Sequence, residues 1–381
     1  MGFNKVIELF ISFFKIGLTA FGGPAMIAYI KELAVDKKQW IDEKTFHEGV
    51  ALAQAIPGAT VMQVAAFVGF KTRGILGGIA SFVGFGLPAF ILMGIFSALY
   101  IKTKTLPEIL SIFTGLQVIV VAIVANAALS FAKPILKSKG ELLIGLVAFI
   151  FFMLRVNPFF IIIFCSVFSQ IIFRDKTLNE KKSVKKDSFK ELAILFVFLV
   201  IFLFLLVLFD KTLFSLALVM MKIDIFAFGG GYASLPLMLH EFVDRLRWLD
   251  AKTFMDGIAL GQVTPGPIVI TATFVGYLLK GFIGAIVATV AVFSPSFLIM
   301  ALASEIGNKI KNSKTFIRAK KGIFSSFSGL LLFAMIKFIE EVDWNIIKVL
   351  LVFTCFIALL RKVSIFYVVI LGAVFSVLFF Y

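Results

Sequence analysis

The 381 residues are 61% hydrophobic and 15% charged, with a mean hydropathy of +1.06; a soluble domain carries roughly 25% charged residues. That balance excludes a soluble globular enzyme and reads as a polytopic membrane protein. The formal net charge of +15 is not a nucleic-acid signal, because the basic residues sit between apolar runs, where they set topology.

The first apolar run covers about residues 9–30, close to the ~20 residues that cross a bilayer. No signal-peptide cleavage site marks it, so it is read as a retained span. Glycines and a proline break it at Phe21-Gly22-Gly23-Pro24. A polar loop from Lys31 to Lys44 follows. The next spans are expected at about 46–70, 74–100 and 108–132, then two short ones at about 141–154 and 157–173. The first of these is broken at Pro57-Gly58. A basic stretch from Arg174 to Lys190 leads to another apolar run near 191–209. The remaining spans are expected at about 213–238, 254–279, 281–303, 322–340, 345–360 and 363–380.

The second set repeats the first. Lys15 to Gly23 matches Lys222 to Gly230 at an offset of 207, and Val35-Asp36 to Trp40 matches Val243-Asp244 to Trp248 at 208. Ala51-Leu52-Ala53-Gln54 aligns with Ala259-Leu260-Gly261-Gln262, Pro57-Gly58 with Pro265-Gly266, Arg73-Gly74 with Lys280-Gly281, and Pro88 with Pro295. So ordered a series implies duplication. The expected organisation is a first half at 1–173, a linker with a connecting span at 174–212, and a second half at 213–381. Six spans plus one connecting span turn the second half over. Roughly two thirds of the 37 basic residues then fall on one side, as the positive-inside rule requires. The predicted fold is all-α, an inverted repeat of two homologous halves with broken helices. It has about 13 transmembrane segments, or 12 if the short hairpins are re-entrant.

Inverted repeats with broken helices are a transporter architecture whose site lies near the midplane. Gly22, Gly23 and Pro24, and in the second half Gly229, Gly230 and Gly231, are placed to end one half-helix and begin the next. Proline suits the first helical position, and a new N-terminus presents free N–H groups and partial positive charge to an anion. The bland alternative is a kink that eases helix packing. Gly231 stands where Pro24 stands, so the first half is the better helix start. Lys15 and Lys222, six residues before each Phe-Gly-Gly, are candidate anion ligands by their position in apolar segments; snorkelling to the interface is the alternative. Gln54 and Gln262 precede the second breaks, Pro57-Gly58 and Pro265-Gly266. Each either orients an oxyanion or satisfies a freed carbonyl. Thr264 adds a hydroxyl, as do Thr60 and Thr271, and Gln63 adds an amide. Glu48 and Asp256 have the spacing of a capping box with Thr45 and Thr253 and are read as caps.

These motifs resemble the chromate ion transporter family. The resemblance rests on Lys15-Ile16-Gly17 with Phe21-Gly22-Gly23-Pro24, on Trp40, on Gln54-x-x-Pro57-Gly58, and on Gly261-Gln262-Val263-Thr264-Pro265-Gly266-Pro267. It spans nearly the whole chain and matches the long-chain members that fuse two halves. It implies a secondary transporter in the cell membrane, multi-pass, that exports chromate or a related sulfate-like dianion and contributes to chromate resistance. A passive anion channel, or a carrier of a different anion, is the alternative. No cofactor or metal and no enzymatic activity are expected. The expected partners are the oxyanion and the lipid bilayer, not nucleic acid, with a homodimer left open.

Overall fold

The computed structural model describes residues 2–21, 24–173, 189–311 and 313–380. Gly22, Gly23 and most of the basic linker lie outside them. Among the described residues every regular element is a helix: α1 (Gly2–Thr19), α2 (Pro24–Lys31), α3 (Glu43–Ala53), α4 (Thr60–Thr103), α5 (Pro107–Ile135), α6 (Lys139–Met153), α7 (Pro158–Ile172), α8 (Phe189–Phe209), α9 (Lys211–Phe226), α10 (Gly231–Leu239), α11 (Ala251–Val263), α12 (Thr271–Lys311), α13 (Lys314–Glu341), α14 (Ile346–Leu360) and α15 (Ile365–Phe380). Four helical stretches, at Thr60–Thr103, Pro107–Ile135, Ile268–Glu305 and Lys314–Glu341, are long and apolar enough to cross a membrane. The hairpin helices α6, α7, α14 and α15 have 15, 15, 15 and 16 residues, short of the ~20 that span a bilayer.

The duplication is visible in the backbone. Both α4 and α12 are two helices joined at a sharp bend. Gly74 (φ 58, ψ −152) and Gly281 (φ 60, ψ −149) occupy the same conformation there, one open almost only to glycine. Beyond each bend the chain doubles back tightly. A Cβ on Gly69 would meet the Gly77 carbonyl oxygen at 2.1 Å, and one on Gly276 would meet that of Gly284 at 2.2 Å. Small residues at such crossings let apolar helices approach closely.

The polar segment after each first break, expected as a loop, is instead largely helical. Glu32–Lys37 and His240–Arg245 continue α2 and α10 as single π-helical turns, an insertion the i→i+5 pattern accommodates. Gln39 (φ 49) and Arg247 (φ 53) then end them in matching left-handed conformations. The repeat-equivalent tryptophans stack on buried phenylalanines, Trp40 on Phe13 and Trp248 on Phe242, with centroids 6.2 and 5.9 Å apart.

The helices form two compact units, and neither is a sequence half. The first comprises Met1–Gly94, Leu178–Ser234 and Thr264–Ser313; the second comprises Ile95–Thr177, Leu235–Val263 and Lys314–Tyr381. Each draws on both copies of the repeat. In the first unit α4 and α12 share an aromatic seam, with Phe82 against Phe293 and Phe297 (6.1 and 4.9 Å) and Phe70 against Phe297 (5.2 Å). In the second, α13 packs on α5, α6 and α7. A Cβ on Gly329 would meet the Gly145 carbonyl at 2.5 Å, and one on Gly322 that of Cys165 at 2.4 Å.

Candidate functional site: crossed helix breaks in the first unit

Each break ends a helix. α1 stops at Thr19 and α2 starts at Pro24; α9 stops at Phe226 and α10 starts at Gly231. The second breaks separate α3 from α4 and α11 from a 3-10 turn, Ile268–Ile270, that runs into α12. The backbone groups these breaks release pair reciprocally. The Gly58 N–H donates to the Ala227 carbonyl at 3.0 Å, and the Gly266 N–H donates to the Ala20 carbonyl at 3.1 Å. Gly58 and Gly266 are repeat equivalents, as are Ala20 and Ala227. The second break of each half therefore satisfies the first break of the other. Reciprocal exchange of this kind is the mark of a two-fold relation. It also answers the requirement that backbone polar groups freed inside lipid find protein partners.

Three helix starts meet beside this crossing. A Cβ on Gly230 (φ +92) would lie 3.4 Å from Thr60 Oγ1, at the start of α4. One on Gly231 would lie 2.8 Å from Ile268 Cγ2 and 3.7 Å from the Ile268 nitrogen, at the start of the 3-10 turn. The N-termini of α4, α10 and the α12 segment thus adjoin. The first turn of a helix leaves its N–H groups without intrahelical partners, and its dipole end favours negative charge.

Among the described residues, all but one of the expected site residues belong to this unit. Pro57, Gly58, Thr264, Pro265 and Gly266 are buried at the crossing, Gly230 is buried in the first break, and Gly229 and Gly231 beside it are half-buried. Pro24 opens α2 as the sequence predicted. Lys15 is exposed on α1, and Lys222 is half-buried on α9. Gln54 is exposed as the C-cap of α3. Gln262 belongs to the second unit. The amide that satisfies a freed carbonyl is that of Gln63, whose Nε2 donates to the Pro57 carbonyl from a fully buried position. Gln63 was legible only as one of several polar residues near the break.

Sequence reasoning gave less weight to two groups. Ser296 is fully buried, and its Cβ would lie 2.2 Å from a Cβ on Gly58. Its N–H donates to Asp224 Oδ2 at 2.7 Å. The available signal was Pro295, which precedes Ser296: a proline inside a helix disrupts the local i→i−4 ladder. Asp224, two residues after Lys222, carries no motif of its own in the sequence.

The capping assignment of Glu48 and Asp256 is corrected. The cap of α3 is Asp42, which accepts from the Thr45 N–H at 2.7 Å. That bond, with the Thr45 side chain, holds the Asp42 carboxyl below the usual carboxylate range. Asp250 plays the same part before α11, accepting from the Thr253 N–H at 2.8 Å. The side chain that caps lies three residues before each threonine, so the threonine occupies the third helical position and is not the cap. Asp256 is instead buried in the second unit, accepting from Tyr100 Oη at 2.8 Å and Gln117 Nε2 at 2.9 Å. It borders a cavity of about 350 Å³ also lined by Lys104, Lys252 and Lys348.

Comparison with known proteins agrees with the doubled architecture. The family described as Chromate transporter matches the chain twice, over residues 7–170 and 214–377. The chain belongs to the chromate transporter family. An uncharacterised transporter of Methanocaldococcus jannaschii is 46% identical over 377 residues, covering 97% of this chain and 93% of its own. A chromate transport protein of Pseudomonas aeruginosa is 29% identical over 332 residues (85% and 79% of the two chains). One of Cupriavidus metallidurans is 28% identical over 331 residues (86% and 81%). No solved structure matches. As a chromate transporter family member with four long apolar helical stretches, the protein is a multi-pass membrane protein.

Proposed function

We propose that the protein is a secondary transporter that exports chromate, or a dianion of the same tetrahedral shape, across the cytoplasmic membrane. The observation that carries this reading is the meeting of three helix starts at Gly230–Gly231 and Thr60. Adjoining N-termini offer N–H donors and partial positive charge to an oxyanion without placing a full charge in lipid. The printed names of the Pseudomonas and Cupriavidus relatives support chromate as the substrate. In this reading Gly229, Gly230, Gly231, Thr264, Pro265 and Gly266 shape the anion site with Pro24, Pro57 and Gly58. Lys15 and Lys222 attract the anion, and Gln54 lines its path.

Reconstituted protein in liposomes, tested with chromate, sulfate and molybdate, decides it. Chromate accumulation against its own gradient is expected, together with loss of uptake into inverted vesicles in Lys15→Ala and Lys222→Ala. Flux that only runs downhill identifies a channel instead. Transport intact after removal of both lysines removes them from the site.

A further inference from the structure

The first unit holds an acid that the anion site does not use. Asp224 is 1% exposed on α9. Its repeat equivalent is Gly17, where even a Cβ would lie 2.4 Å from the Phe85 carbonyl oxygen. The acid is therefore a feature of one half alone, set where the other half has only backbone contact. Asp224 Oδ2 accepts from the Ser296 N–H, while Oδ1 is buried with no hydrogen-bond partner among the described residues.

A second orphan lies in the same chain of contacts. Ser296 Cβ and Gln63 Nε2 both face Gly58, at 2.2 and 3.0 Å from a Cβ there. Gly58 in turn donates to Ala227, and the Ala227 N–H donates to the Asp224 carbonyl at 3.1 Å. Gln63 commits its Nε2 to Pro57, which leaves Oε1 buried without a donor among the described residues. Two buried acceptors thus lack a hydrogen within a single cluster. An ionised carboxylate only accepts, whereas a protonated one also donates.

We propose that Asp224 is the proton-carrying residue of the transport cycle, taking a proton on Oδ1 as the anion enters the adjacent cradle of helix starts and releasing it when the anion leaves. This rests on the transporter reading above. The step is a proton transfer alone: Oδ1–H forms with a proton given up by water on one side of the membrane, and breaks by returning that proton to water on the other. Neutralising the acid removes its repulsion of a dianion two residues from Thr60, at Gly58. Proton and anion therefore move in the same direction.

The charged surroundings leave this role to Asp224. Lys222, on the same helix, is two residues away, roughly 200° around the axis at 3.6 residues per turn, and Lys211 is at the start of α9. On α12, the ionisable groups among the described side chains are Tyr277, before the bend at Gly281, and Lys280 and Glu305, roughly 24 and 14 Å along the axis from Ser296 at 1.5 Å per residue. Lys280 is paired with Asp210 at 2.8 Å. The described side chains of α8 include no ionisable group. On α4, Lys71 and Arg73 lie at the bend, and on α1 Lys15 is exposed.

The test uses the full chain in liposomes loaded with a pH-sensitive dye, with chromate as the probe. Wild type is expected to move protons with chromate in the same direction. Asp224→Asn, which keeps the acceptor for Ser296 and mimics the protonated acid, is expected to retain chromate exchange. It loses the chromate-driven proton signal by about tenfold or more, within the usual range of a coupling interaction. Should Asp224→Asn fail to fold, wild type still decides: chromate flux with no proton movement, or with protons moving oppositely, overturns the proposal and leaves the transporter reading standing. A normal proton signal in a folded Asp224→Asn also overturns it. Absence of chromate flux under any gradient overturns both.

Discussion

Replacing Gly58 by alanine tests the crossed-break geometry most directly. Gly58 has φ +109, and an added Cβ would lie 2.2 Å from Ser296 Cβ, far inside the ~3.5–4.0 Å of ordinary carbon contact. Two costs add. An L-residue held at that backbone conformation costs about 1–3 kcal/mol. Overpacking a buried crossing costs about 1–3 kcal/mol more. The equivalent Gly266 has φ +104, yet a Cβ there meets only Ala89 Cβ, at 3.0 Å. Gly266→Ala should therefore carry the backbone cost and little of the second, about 1–3 kcal/mol in all. A double-mutant cycle separates the terms. Ser296→Gly removes the clashing atom but keeps the N–H that Asp224 accepts, so it should recover about 1–3 kcal/mol of the Gly58→Ala loss, the coupling expected of residues in contact. Thermal unfolding of the four proteins in detergent measures this. Equal losses in Gly58→Ala and Gly266→Ala, or no recovery beyond additivity with Ser296→Gly, would refute the reasoning.

Three further outcomes are expected. Gly74→Ala adds a Cβ that meets nothing within 4 Å, so its loss of about 1–3 kcal/mol is conformational alone and no second-site cavity rescues it in the same unfolding assay. Ser138 and Glu141 form a reciprocal capping box on α6; Ser138→Ala should lower stability by about 1 kcal/mol, read as a lower midpoint. Asp210 is held below the usual carboxylate range by Lys280, with help from the Leu213 and Thr212 N–H groups. A depressed folded value gives stability that is present above the unfolded pKa, about 3.9, and lost as pH falls through the folded one. The midpoint of Asp210→Asn should accordingly change less than that of wild type between neutral and strongly acidic pH.

The helices and their breaks were legible because their causes are local. Apolar runs long enough for lipid, the proline at position 24 and the glycines at 74 and 281 each act through their own residues. The repeat was legible because two copies of a motif need no structure to be compared. The π-turns at Glu32–Lys37 and His240–Arg245 were not, since the same charged composition suits a loop. The caps were misread for a related reason: Asp42 and Thr45 form one hydrogen-bonded pair, Thr45 and Glu48 have the spacing of another, and composition does not choose between them. Hardest to read was the division into units. It depends on contacts between residues far apart in the chain, such as Gly58 with Ala227, which no local pattern encodes.

Duplication makes the differences between copies informative. Both halves use the same glycine at the second break and the same proline in the following long helix. The residues around them have diverged in a correlated way. In the first half Gly17 lies against the backbone of α4, near Phe85 and Pro88. In the second, Asp224 reaches the backbone of α12 beside Pro295. The partners across the crossing differ too: Ser296 faces Gly58, and Ala89 faces Gly266. Packing alone would let both halves keep the smaller pair, glycine with alanine, which leaves no buried polar atom to satisfy. The larger and polar pair was placed in one half only, with one carboxylate oxygen unmatched. In the proposed cycle the two-fold framework frames the anion, with Pro24 in one half where Gly231 stands in the other. Coupling that anion to a second ion needs a group that occurs once, and the acid at 224 occurs once.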